Sequence, residues 1–222
     1  MTPTITQTPT PFPCAGDGIV YEAFGGTAFG DPISGTNVAD LLADPTYPDY
    51  PVLRQNLASA AGPTGRDDNF GGQLRAILCV PMPGQYTFWI ASDDSSSFQM
   101  SGYLGTNLAS VRTNAYVNSL SMNEYATVNG WTNANTWNTY PSQQTSALTL
   151  QAGYYYIEGI YKEGSGGDNV SIAWKRPGDS FTYPSSVIPQ TNLYLITGFP
   201  TATPTSTTTP TATRTLTRTP TN

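Results

Sequence analysis

Gly153-Tyr154-Tyr155-Tyr156-Ile157-Glu158-Gly159-Ile160-Tyr161-Lys162 decides the fold, because its side chains divide by twos. Tyr155, Ile157 and Tyr161 fall on one face and Tyr154, Tyr156, Glu158 and Ile160 on the other. After the glycine-rich run Gly164 to Gly167, Val170-Ser171-Ile172-Ala173-Trp174 alternates again and stops at Pro177-Gly178. The two segments with their loop read as a long hairpin. Working outward, Gln85-Tyr86-Thr87-Phe88-Trp89-Ile90-Ala91 sets Tyr86, Phe88 and Ile90 against Trp89, between Pro83-Gly84 and Asp93-Asp94. Shorter strands are expected over Gln73 to Val80, Ser97 to Tyr103 and Ala147 to Gln151. One short helix is expected over Val38 to Ala43, capped by Thr36 or Asn37. Many strands, long loops and one short helix describe an all-β chain, an antiparallel β-sandwich.

Composition agrees. Only 11% of the 222 residues are charged, against about a quarter in ordinary soluble domains, while 21 glycines and 19 prolines break helices. A helical bundle or coiled coil is excluded. No apolar run approaches the 18 or so residues of a membrane-spanning helix, so direct membrane insertion is not expected. Histidine is absent, which removes the commonest general base, the usual zinc sets and the Ser/His/Asp triad. Any metal here has to be a hard, oxygen-bound one. The net charge is −6, and Arg214 and Arg218 lie at the C-terminal end, so the remainder is more acidic still and nucleic acid is not an expected partner.

Residues 1–13 and 201–222 share a Thr/Pro composition with almost nothing to bury, and read as extended arms around one domain at 14–200. No signal peptide is recognisable at the N-terminus, and matching arms suggest a module from a longer extracellular or cell-surface chain. Cys14 and Cys79 suit a disulfide stapling the N-terminal segment to a strand. The alternative is a buried free Cys79 and a loose Cys14.

Chemistry concentrates in three loops. Asp93-Asp94 ends a strand, and is either a plain turn or a pair of anionic oxygen ligands for calcium, converging through a cis peptide between them. Lys162-Glu163-Gly164-Ser165-Gly166-Gly167-Asp168-Asn169 adds Asp168 as a third carboxylate. Gly166 and Gly167 there can turn backbone carbonyls toward an ion, or simply form a flexible tip. Gly130 to Trp137 contributes two tryptophans. Asp67-Asp68 is assigned as a cap, with a second calcium as the other reading. Glu158 has no nearby acid/base partner, so no glycosidase pair is expected. Asn169-Val170-Ser171 fits the N-glycosylation pattern by chance.

Asp68-Asn69-Phe70-Gly71, the segment Gly84 to Asp94, Gly130-Trp131-Thr132, Tyr140-Pro141-Ser142-Gln143-Gln144 and the segment Ala152 to Trp174 occur in an order that resembles the protective antigen 14-kilodalton domain family, over about Gly18 to Pro200. The resemblance implies a jelly-roll-like β-sandwich, as in yeast flocculins, adhesins and some glycosidases. In sugar-binding members a cis Asp-Asp pair and a second loop hold one Ca²⁺, and vicinal hydroxyls of a terminal sugar complete its coordination. Asp93 and Asp94 match the pair; Gly166, Gly167 and Asp168 match the second loop of the bacterial form, and Asn169 echoes the yeast form. Ser95, Ser97, Gln99 and Lys162 would then bond the sugar and Trp137 or Trp131 stack on it, while Trp89 and Trp174 belong to the core. The expected function is a non-enzymatic, calcium-dependent carbohydrate-binding module of an adhesin, with glycans as partners. The alternatives are a filament or stalk subunit self-associating through its arms, and an accessory domain of a glycosidase.

Overall fold

The computed structural model describes residues 10–199; the Thr/Pro arms expected at the two ends lie largely outside them. Among the described residues ten strands form two sheets: β1 Ile19–Gly25, β2 Leu53–Leu57, β3 Phe70–Val80, β4 Gly84–Asp93, β5 Ser96–Ser101, β6 Met122–Val128, β7 Leu148–Leu150, β8 Gly153–Glu163, β9 Asn169–Lys175 and β10 Leu193–Tyr194. The larger sheet runs β2-β1-β3-β8-β5-β6, with β10 also on β3, and the smaller runs β7-β4-β9. All named pairs are antiparallel.

Alternation places the core. Tyr86, Phe88 and Ile90 of β4 meet Tyr155, Ile157 and Tyr161 of β8 between the sheets, joined by Trp174, Phe98 and Phe70. The opposite faces of the same strands are also covered. Tyr154 and Tyr156 pack with Ile77, Val111 and Val117, Ile160 packs under Leu41, and Trp89 joins Trp137, Ala91 and Ala173. Being covered on both faces explains why β1, β3 and β8 read as nearly continuous apolar runs.

One expectation is overturned. β8 and β9 are not hairpin partners: β8 pairs with β3 and β5, whereas β9 pairs with β4 in the other sheet. Gly164 to Asp168 therefore arches from one sheet to the other. The helix α1 spans Val38–Leu42, with the Asn37 amide N–H donating to Asp40 Oδ2 at 2.9 Å. Two further single-turn helices, α2 Leu108–Val111 and α3 Asn114–Val117, cover the outer face of the larger sheet. Four residues are too few to show a helical period.

Cys14 and Cys79 are disulfide-bonded across 65 positions. Closing such a loop is worth roughly 4 kcal/mol in the loop-entropy account. Phe12 docks edge-on against Tyr154, ring centroids 5.3 Å apart, so the segment before the staple is held as well. On the outer face Glu22, fully buried, takes Arg54 Nε at 2.6 Å and Arg75 Nη1 at 3.2 Å, plus Gln73 Nε2 at 2.7 Å.

Candidate functional site

Two arches lie side by side at one end of the sandwich. The first runs from Asp93 at the end of β4 to Ser96 at the start of β5, and the second is Gly164 to Asp168. Backbone bonds lace them together: Asp94 N donates to Lys162 O at 3.1 Å and Lys162 N to Ser95 O at 2.9 Å. The Asp93–Asp94 peptide is cis. Asp94 Oδ2 also accepts from Gly164 N at 2.9 Å.

A third loop clamps the second arch. Asp68 Oδ1 accepts from Gly166 N at 2.9 Å, and Asp168 Oδ2 accepts from Arg66 N at 2.5 Å and Asp67 N at 3.3 Å. Asp67 meanwhile receives Ala28 N at 3.1 Å, so this pair caps a turn as expected. The fourth loop is tied in by Thr132, whose Oγ1 accepts from Ser92 N at 3.0 Å and whose carbonyl accepts from Asn169 Nδ2 at 2.9 Å. The Asn169 amide is thus engaged and 7% exposed.

The tightest acidic group is Asp93, Asp94 and Glu163, which bring one carboxylate oxygen each within 4.8 Å of one another. Glu163 is absent from the sequence-derived set. It ends β8 on the inner face, fully buried, and neither of its oxygens has a hydrogen-bond partner among the described residues. Asp168 Oδ1 and Asn169 Oδ1 are buried and unpartnered too. Burial, then Asp94, Asp93 and Asp168, push the Glu163 carboxyl up to about 8. Burial, then Asp94 and Asp168, push Asp93 up to about 6. Acceptors gathered without donors are matched by a cation with oxygen ligands, and a divalent ion answers both the charge and the missing bonds.

Glycine suits the second arch where it passes the pair. A Cβ on Gly167 would sit 3.1 Å from Asp93 Oδ2, and Gly166 has φ +110°. Other expected ligand-contacting residues divide. Ser95 lines a cleft of about 300 Å³ beside Asp94, with Asn37, Ser97 and Glu124. Gln99 lies further along β5, half-buried, its Nε2 3.4 Å from Ser97 Oγ. Lys162 is fully buried and its Nζ donates to Gly35 O at 2.8 Å and Glu163 O at 2.5 Å, so it pins the Gly35 turn to the arch instead of facing solvent. Trp137, 5% exposed, packs into the core with Trp89, whereas Trp131 is 56% exposed. Glu158 faces away from Glu163 across β8, so these two acids form no pair.

The epithelial adhesin 6 A domain from Candida glabrata, solved in complex with Galβ1-3GlcNAc, matches at TM-score 0.52 and 15% identity, over 87% of this chain and 95% of that one. The PA14 domain of the MpAFP antifreeze protein matches at TM-score 0.53 and 16% identity, over 86% and 95%. A PA14 sugar-binding domain from an RTX adhesin matches at TM-score 0.50 and 16% identity, over 76% and 95%. The chain spans about half (52%) of an anti-sigma factor domain-containing protein from Clostridium clariflavum, at TM-score 0.49 and 19% identity. No curated protein matches by sequence. At these identities the structural likeness establishes the fold alone. The PA14 domain family model, however, matches residues 36–185, more than half of the chain, and the chain belongs to that family.

Proposed function

We propose that this domain is a calcium-dependent glycan-binding module of an adhesin, holding Ca²⁺ through Asp93, Asp94 and Glu163, with Asp168 and the backbone of Gly166 and Gly167 completing the protein's share. The observation that carries the reading is Glu163: a carboxylate with both oxygens buried and unpartnered, facing the Asp93–Asp94 pair. Support comes from relatives described as sugar-binding or solved with a disaccharide. When bound, the ion would supply a Lewis-acidic position for two vicinal hydroxyls. The chain's own residues orient the sugar: Ser95 and Ser97 offer hydroxyls, Trp131 offers an exposed aromatic face, and Lys162 holds the Gly35 turn against the site.

The disulfide fits an oxidising, extracellular or cell-surface setting. No helix among the described residues is long and apolar enough to cross a membrane. Calorimetric titration with mono- and disaccharides in calcium, then in chelator, tests the proposal. Sugar heats that vanish on chelation and in Asp94→Ala support it; binding that survives either change sinks it.

A further inference from the structure

The outer face of the larger sheet carries a row of polar side chains that the ion site does not use. Strand register places Arg75 of β3 opposite Glu158 of β8, Glu158 opposite Gln99 of β5, and Gln99 opposite Glu124 of β6. Three strand spacings separate the ends of this row, about 14 Å. A cleft opens at each end. The one beside Asp94, about 300 Å³, has Ser97 and Glu124 on its floor. The other, about 330 Å³, is floored by Arg75, Tyr156 and Glu158.

The two clefts are lined by neighbouring stretches of the same chain segments, with no residue in common. One wall is a single chain segment, contributing Asn37 to Ala39 at the first cleft and Tyr47 to Asp49 at the second. The opposite wall is also continuous, with Val117 to Met122 at the second cleft and Thr127 to Asn129 at the first. Gln99, half-buried, lies between Glu158 and Glu124 in strand register. We propose that the two clefts and the Glu158-Gln99-Glu124 row form one trough that carries a neutral oligosaccharide outward from the ion site, so that the module reads a glycan chain and not its terminal unit alone.

The lining suits that ligand class. Carboxylates, amides and hydroxyls accept and donate bonds to sugar hydroxyls, while Tyr47 and Met122, both half-buried, offer apolar surface to C–H faces. Charge selects against uronate or sialylated chains. Glu22 is shared by Arg54 at 2.6 Å and Arg75 at 3.2 Å, so Arg75 keeps a positive charge beside Glu158, and Glu124 and Asp49 leave the lining acidic on balance. Glu158 accepts only the Tyr156 hydroxyl and takes part in no ion pair among the described residues.

This inference rests on the sugar reading, and its test separates the two. Calorimetry in calcium would compare the mono-, di- and tetrasaccharides of the galactose, glucose and mannose series, with a galacturonate tetramer as the acidic control. One neutral series should gain about tenfold in affinity from one unit to four, equivalent to roughly 1.4 kcal/mol, with no gain for the acidic tetramer. Asp49→Ala and Asn118→Ala, both exposed and lining only the second cleft, should abolish the gain and leave monosaccharide affinity unchanged, which also reports that each variant is folded. Monosaccharide binding without a length gain overturns the trough alone, as does a gain that survives both substitutions. Failure of every saccharide to bind overturns the trough together with the sugar reading.

Discussion

Glu163→Gln gives the sharpest handle on the ion site, through the protons that calcium must displace. Asp93, Asp94 and Glu163 lie within 4.8 Å of one another. At that separation each like-charged pair costs about 3.5 kcal/mol at an effective dielectric of 20. With its carboxyl held up to about 8, Glu163 is about nine-tenths protonated at pH 7 without an ion, and Asp93, at about 6, about one-tenth. Calcium requires both deprotonated, so binding should release about one proton at pH 7 and only about a tenth at pH 9. Apparent affinity should fall about tenfold per unit between pH 8 and 6, and more steeply below. The assay is calcium titration calorimetry in buffers of different ionisation enthalpy. In Glu163→Gln the release at pH 7 should drop to about a tenth of a proton, with weaker binding. Wild-type heats independent of buffer at pH 7, or a variant releasing as much as wild type, would refute the assignment.

The same carboxyls couple folding to pH. Both are raised above their ordinary values, so their contribution to stability is fully present below about pH 4 and is lost as pH rises through about 6 and 8. Thermal melts in chelator should therefore fall from pH 5 to pH 8.5, and calcium should restore the loss at the high end. Gly167→Ala, with its Cβ 3.1 Å from Asp93 Oδ2, should weaken calcium in a titration while leaving the metal-free melt nearly unchanged. Trp137→Ala should cost about 3–5 kcal/mol in urea unfolding because it empties a core site. Trp131→Ala should leave stability intact and weaken sugar binding, as read by calorimetry.

Sequence pattern was most informative where one strand face differs from the other. β4, β8 and β9 were legible because Tyr86, Phe88 and Ile90, and again Tyr155, Ile157 and Tyr161, repeat by twos into the same core. Their pairing was not. An arch between sheets and a hairpin within one sheet use the same alternation and the same glycine-rich connection, so Gly164 to Asp168 gives no local sign of which it makes. β1 and β2 were missed because Ile19 to Gly25 is buried on both faces, and Leu53 to Leu57 is a half-exposed edge with two polar neighbours and an arginine.

At the site, the Asp93–Asp94 pair stands out as a motif, but Glu163 looks like the end of an aromatic strand. Only the arch, by turning β8 inward beside β4, shows that its carboxylate meets the pair. Lys162 and Trp137 illustrate the converse. Both belong to the right loops, yet alternation and packing send one to the Gly35 carbonyl and the other under Trp89. Two backbone amides occupy one oxygen of Asp168, leaving Oδ1 buried and without a partner.

A crystal structure of the domain grown in calcium and soaked with a sugar that binds in calorimetry tests the central claim most directly. The account predicts one ion touching Asp93, Asp94 and Glu163, with two adjacent sugar hydroxyls in its coordination sphere. A sugar bound away from Asp94, or an ion there that leaves Glu163 without contact, would contradict it.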